Sequence, residues 1–380
     1  MKNFFILSSF VIFCALLSSC AKPSKGPVTI NLDEAGKTRT VKLSELASNL
    51  KCVPLESKEN VIIPDDQTRI WAGEKYIIAL NNKDIQQFTA DGKYIRKLAS
   101  AGKGPNEFTY IIPFAVDETS SRLYYGHQGD WYHISVIDLT TGEHLPKLKV
   151  NILPFDMDIK DGNILYTPFN RGNSFPTVLY TINPAGELID SVRNPNTSVM
   201  SNFLNGNAQL LPVKQNGIHL QMQDTVYNLH NSGLESLFVF DYGNKFHPET
   251  NLKGMSKAIL AETSDHFLIR MEDIDMQKSD NGGIMVTLRP SHTRWVDKKS
   301  LEIDEMEKFY IDPLDIHKEI SYSSLLVKNR KVIYKLSAFS IKEIAEQKAE
   351  AGETLSPLLK QLNEQLTEED NPVLIIGDLK

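Results

Sequence analysis

The chain has only three cysteines in 380 residues, and two of them, Cys14 and Cys20, fall within the first twenty. Cys52 alone remains for the folded body, so neither a disulfide framework nor a thiolate metal site can be built. It sits in the apolar run Leu50-Lys51-Cys52-Val53-Pro54-Leu55, where a thiol packs rather than reacts. The motifs of common hydrolytic and metal chemistry are also missing. There is no His-Glu-x-x-His, no Gly-x-Ser-x-Gly elbow and no Asp-x-Asp-x-Asp-Gly calcium loop. Nine histidines are scattered along the chain, and isolated ones such as His144 and His219 read as solvated or packing residues. Cationic surplus is absent too. With 41 Lys and Arg against 48 Asp and Glu, the formal net charge is −7, which argues against nucleic acid or an anionic membrane surface as the main partner. Helical periodicity is nearly absent from residue 60 to about 240, and no long tract has the composition of disorder.

The amino terminus carries an address. Lys2 precedes an apolar run from Phe4 to Leu17, followed by Ser18, Ser19 and Cys20. That run is short for a bilayer span and ends on small residues, the pattern of a secretory signal over residues 1–19. Leu17-Ser18-Ser19-Cys20 resembles a bacterial lipobox, which implies cleavage before Cys20 and a lipid on its thiol. Several acyl chains on one residue hold firmly, since each buried methylene adds roughly 0.8 kcal/mol. Residues 20–27 then form a short polar tether, and residues 28–380 read as one domain.

What fills that domain is a recurring turn. Asp91-Gly92, Thr141-Gly142, Ala185-Gly186 and Ser232-Gly233 each follow a short β-rich run, at spacings of 44 to 50 residues. Glycine belongs there because a tight hairpin needs positive φ at one position. Arg294–Leu301 keeps the hairpin pattern without the glycine. A second set of strand pairs, around Lys160–Asn163 and Lys214–Gly217, lies between these turns. Four short antiparallel strands per unit of about 45 residues describe a propeller blade. The prediction is an all-β, six-bladed β-propeller. Its sixth blade is closed by Val373–Ile376 with an N-terminal strand, Val28–Leu32 or Val41–Leu43, removing the open edges. Helical insertions are expected near 248–262, where Leu252, Met255, Ile259 and Leu260 are helically spaced, and over 340–366, with Thr354 as a start signal.

The lipobox, the Asp91-Gly92-Lys93-Tyr94-Ile95 turn and Gly102-Lys103-Gly104-Pro105-Asn106-Glu107-Phe108 together resemble the bacterial six-bladed β-propeller lipoproteins with NHL-type blades. So do Asp224–Leu229 and Asn371-Pro372-Val373-Leu374. The resemblance covers most of the mature chain. It implies the fold and a cell-envelope location on an outer membrane, with the periplasmic side favoured because no acidic cluster follows Cys20. It implies no activity and no catalytic residue.

Candidate contacts come from geometry. The Gly102–Phe108 loop lacks the order of a P-loop, so its glycines turn the chain, Phe108 fills the gap between blades, and Glu107 is left as a ligand contact. Loops joining the second and third strands of each blade should gather on one face. These are Asn81–Lys83, His127–Trp131, Asn170–Asn173, Met222–Asp224 and Arg289–His292. They nominate His127, Asp130, Trp131, Arg171, Asn173, Asp224, Arg289 and His292, with Trp131 placed to stack on a sugar ring. Three readings follow: a lipid-anchored binding or scaffold module for a glycan, peptide or envelope protein; a hydrolase or lactonase with a central Ca²⁺ held by Asp130, Asp224 and Asn173; and a helical docking clamp over 340–366.

Overall fold

The computed structural model describes residues 26–64, 68–169, 176–194, 208–213, 217–222, 224–230, 233–241, 253–278, 284–318 and 324–380. Cys20, Arg171 and Asn173 lie outside them. The N-terminal segment comprises β1 (Val28–Asn31), β2 (Thr38–Lys42), a single helical turn α1 (Leu43–Leu46) and β3 (Ala47–Pro54). Six sheets follow around a ring, each with its own first strand innermost. Blade 1 holds β4 (Arg69–Ala72), β5 (Tyr76–Leu80), β6 (Asp84–Thr89) and β7 (Tyr94–Ser100). Blade 2 holds β8 (Ile111–Asp117), β9 (Arg122–His127), β10 (Asp130–Asp138) and β11 (His144–Lys149). Blade 3 holds β12 (Pro154–Lys160), β13 (Asn163–Pro168), β14 (Thr177–Ile182) and β15 (Leu188–Arg193). Blade 4 holds β16 (Gln209–Val213), β17 (Gly217–Met222), β18 (Thr225–His230) and β19 (Gly233–Asp241). Blade 5 is taller, with β20 (Lys253–Glu262), β21 (His266–Lys278), β22 (Ile284–Asp297) and β23 (Ile303–Ile311), the last also paired to β24 (Ile316–Lys318). Blade 6 combines β25 (Leu325–Lys328), β26 (Lys331–Leu336) and β27 (Val373–Leu379) with β3.

The core explains why the strands show little hydrophobic alternation. Six apolar clusters are present among the described residues, one at each interface between neighbouring blades. A strand packed on both faces must be apolar at successive positions. In β5, Ile77 and Ala79 face blade 6 while Ile78 and Leu80 face blade 2. In β9, Leu123 and Tyr125 face blade 1 while Tyr124 faces blade 3.

Ring closure follows the predicted principle with a different strand. β3, not Val28–Leu32 or Val41–Leu43, is the fourth strand of blade 6, pairing Cys52 with Ile375 and Val53 with Leu374. The other two strands lie parallel to the outer edges of blades 4 and 5: β1 runs beside β19 and β2 beside β23. Before closing blade 6, the N-terminus therefore latches blades 4 and 5. Its apolar side chains are buried, with Ile30 and Leu32 in the blade 4–5 core and Val41 and Leu43 in the blade 5–6 core. The half-buried Cys52 thiol is pushed up to about 11 by loss of solvation, consistent with a packing role.

The helix expected near 248–262 is instead the innermost strand β20 from Lys253 onward. Its register against β21 shifts between Ile259 and Ala261. That bulge sends Ile259 to the blade 4–5 core and Ala261 to the blade 5–6 core, which breaks the two-residue alternation a strand normally displays. The helices over 340–366 are present as α2 (Ala338–Glu350) and α3 (Pro357–Gln365). Ser337 and Ser356, rather than Thr354, cap them by accepting the amides of Ser340 and Leu359. Their apolar faces, Ile341 and Ala345 on α2 and Leu359 and Leu362 on α3, are buried, so the pair caps the blade 5–6 core and leaves no open clamp.

Candidate functional site

Antiparallel connectivity gives the ring two faces. One, the turn face, carries the hairpins between first and second and between third and fourth strands. The other, the loop face, carries the remaining connections, including the α2–α3 insertion. The Gly102–Phe108 loop belongs to the loop face, where Ala101 donates to the Lys83 carbonyl at 2.6 Å. Phe108 is fully buried between blades 1 and 2 and meets Tyr125 edge-on at 6.4 Å. Glu107 folds back under its own loop and accepts the Gly104 amide at 2.7 Å. A Cβ on Gly102 would meet that carboxylate, the movable end of an exposed side chain.

Beside the loop, the interface of blades 1 and 2 opens into a cleft of about 370 Å³, lined by Pro105, Asn106, Glu107, Tyr125, Ser135, Val136, His144, Leu145, Pro146 and Lys147. Loop, inner strands and edge strand each supply one wall. Pro146 is tolerated because β11 is the outer strand, where a missing amide breaks no ladder. His144 shares a hydrogen bond through Nε2 with the Leu98 carbonyl at 3.2 Å, and burial lowers its pKa. Lys147 Nζ lies 3.0 Å from Asp130 Oδ2, and His133 Nδ1 lies 2.7 Å from Asp130 Oδ1. Burial opposes ionisation of Asp130, but these two partners together hold its carboxyl below the usual range. The wall is thus polar and its cation is already partnered, a lining suited to hydroxyl and amide ligands rather than to a bare charge.

The nominated residues divide. Glu107 lines the cleft, and Asp130 reaches it through Lys147. His127, opposite Asp130 in the β9–β10 ladder, is 6% exposed and its Nδ1 has no hydrogen-bond partner. Burial, reinforced by Lys147, lowers its pKa against the pull of Asp130, which keeps the imidazole neutral. Trp131 belongs to a different group, edge-on to Phe169 at 5.6 Å with Phe155 beyond. Asp224 is on blade 4, 3.9 Å from Lys257. Loss of solvation lowers that buried lysine to about 8 despite Asp224. Arg289 and His292 are not in a loop: both lie within β22, paired to β21, and His292 Nδ1 is 2.9 Å from Glu305. The missed residues are Tyr125, Ser135, His144 and Lys147. Pro146, inside the strand-like run His144–Lys149, was the available sign of an exposed edge.

At the axis, the first strands of successive blades touch. Lys328 of blade 6 reaches across to Asp156 of the opposite blade at 3.0 Å and donates to the Met157 carbonyl at 2.9 Å. Burial raises the pKa of the neighbouring Asp158, with Lys328 opposing. An ammonium from the chain itself stands where axial carboxylates would otherwise converge on a cation.

The fold is shared with solved structures. A Bacteroides fragilis protein assigned as exported superposes with a TM-score of 0.60 at 13% identity, over 93% of this chain and 99% of that one. BamB from Moraxella catarrhalis gives 0.42 at 10% identity, over 88% and 100%. The WD40 propeller domain of Doa1 gives 0.39 at 12%, over 88% and 97%. The first of these, at 13% identity, shows the fold alone. No curated protein matches the sequence. The family match is to DUF4934, a domain of unknown function, and spans residues 27–378. The chain, a six-bladed propeller over that whole span, belongs to the DUF4934 family.

Proposed function

We propose that this protein is a lipid-anchored binding module of the cell envelope, a lipoprotein with NHL-type blades that holds a glycan, peptide or envelope protein in the cleft between blades 1 and 2. The observation that carries this reading is the cleft itself. It joins an idiosyncratic loop to an edge strand and offers amide, hydroxyl, imidazole and carboxylate groups beside Val136, Leu145 and Pro146, the mixed composition of a small-ligand site. That mixture favours a glycan over an extended peptide. Export is supported by the exported assignment of the Bacteroides fragilis structure, and anchoring by the lipobox ending at Cys20. Among the described residues no helix is long and apolar enough to cross a membrane.

The Ca²⁺-dependent hydrolase reading has less support. Asp130 and Asp224 stand on different blades, each beside a lysine, and Lys328 occupies the space between axial carboxylates. Two measurements separate the readings. Binding of ligands from a glycan screen should fall at least tenfold in Lys147→Ala and in Asn106→Ala, by calorimetry, with melting unchanged within about 1 °C. A melting temperature that drops by several degrees with chelator would restore the calcium reading and count against this one.

A further inference from the structure

The hairpin that joins β25 to β26 keeps an arginine where glycine fits better. Lys328 pairs with Lys331 across a two-residue turn of Asn329 and Arg330, and these two hold φ of +53° and +55°. A tight hairpin with positive φ at both central residues is the one that favours Asn-Gly. Asparagine stands at the first position and is used there, its Nδ2 donating to the Ala72 carbonyl of blade 1 at 3.3 Å. Arginine stands at the second, at a cost in backbone strain that glycine does not incur. Among the described residues its guanidinium makes no hydrogen bond or ion pair, and its Nε is buried without a partner. Packing explains neither the strain nor the unsatisfied donor.

The side chain belongs to the axial channel. β25 and β12 stand on opposite sides of the ring, and both run from the loop face to the turn face. Their charges form two layers. In the first, Lys328 meets Asp156 at 3.0 Å. In the second, nearer the turn face, the charge of Arg330 acts on Asp158 with no hydrogen bond or ion pair between them. The space is open to solvent, since Lys328 and Asp156 keep part of their side-chain surface accessible at the centre of the ring, and Asp158 and Arg330 are only half-buried. Donors are in surplus there. Lys328 spends two of its three N–H groups, on Asp156 and the Met157 carbonyl. The Asp156 carboxylate is taken up by Lys328 and by the amides of Met157 and Leu210. Asp158 accepts the Ile159 amide at 2.8 Å, and burial raises its pKa, favouring the neutral acid. Arg69 of blade 1 adds a third positive charge within reach of Lys328 and Asp156. Three cations facing two carboxyl groups reverse the acid surplus of the chain as a whole.

We propose that the turn-face mouth of the axial channel binds a small oxyanion, a carboxylate or a phosphate, with the Arg330 guanidinium as its fork and the remaining N–H of Lys328 as a further donor. Asp158, once protonated, donates to the anion instead of repelling it. The site is separate from the cleft of blades 1 and 2 and depends on neither that cleft nor the lipid anchor. Its preference is also different, for a charged ligand where the cleft suits hydroxyl and amide groups.

The test titrates the full chain by calorimetry with succinate and, separately, with inorganic phosphate, each against chloride at equal ionic strength. Wild type should bind at least one of the two, and the one it binds names the class of oxyanion. Arg330→Gly should lose at least tenfold in affinity for that anion while keeping or gaining stability in urea, because glycine suits the backbone of this turn. Asp158→Asn, which removes a negative charge at nearly constant volume, should bind at least as tightly as wild type. Failure of wild type to bind either anion overturns the site. So does an Arg330→Gly variant that binds like wild type, or an Asp158→Asn variant that folds and loses binding.

Discussion

Asp138–Glu143 and Asp297–Glu302 are one turn built from two sequences. In each, an aspartate side chain accepts the next amides but one, Thr140 and Thr141 or Lys299 and Ser300. The fifth residue then donates back to the aspartate carbonyl, at 2.7 Å from Gly142 and 2.9 Å from Leu301. Gly142 and Leu301 hold the same left-handed backbone, φ +83° and +63°. A left-handed non-glycine residue costs about 1–2 kcal/mol, partly offset because glycine loses more freedom on folding. Leu301→Gly should therefore raise stability in urea by up to about 1 kcal/mol, while Gly142→Ala should lower it by at least as much, since its Cβ also meets Arg96. Loss of stability in Leu301→Gly would show that the leucine packs usefully after all. This hairpin was legible in the sequence from its register alone. The cleft residues were not, because His144 and Lys147 carry no motif and acquire meaning only when the Gly102–Phe108 loop supplies the opposite wall.

Elements that bury both faces, such as β5 and β9, announced themselves as short apolar runs. The edge elements did not. β3 closes the ring, yet only the second half of Ala-Ser-Asn-Leu-Lys-Cys-Val-Pro falls in the apolar run at Leu50–Leu55, and that run does not say which blade it joins. Val28–Asn31 and Thr38–Lys42, the strands expected to close the ring, are peripheral additions. β20 was hidden by its bulge. Closure has an electrostatic component: Lys331 of β26 holds Glu74 of blade 1 and Asp378 of β27, both at 2.6 Å. Lys331 depresses both carboxyls, and they raise it against the effect of its burial. Depressed carboxyls stabilise the fold above the ordinary carboxylate range and lose that contribution as pH falls through their folded values. With Glu74 and Asp378 well exposed, the contribution is about 1 kcal/mol at most. The urea stability gap between wild type and Lys331→Met should be present at pH 7 and vanish near pH 3; a gap that persists at pH 3 would assign Lys331 to packing instead.

For the whole molecule, topology sets the N-terminal entry and the cleft on different blades. The N-terminus enters at blade 4, the α2–α3 cap seals blades 5 and 6, and the open polar cleft lies between blades 1 and 2, across the axis from the entry. The axial channel, where Lys328 and Asp156 retain 20% and 18% side-chain exposure, is spanned by their ion pair. The central claim, that the blade 1–2 cleft binds a ligand, is tested most directly by blocking it. Asn106 lines the cleft from the exposed loop, and Asn106→Trp blocks it without entering the core of a blade. Every ligand recovered with wild-type protein on a glycan array should lose at least tenfold in affinity with Asn106→Trp at unchanged melting temperature. Ligands retained at full affinity by that variant would contradict the account.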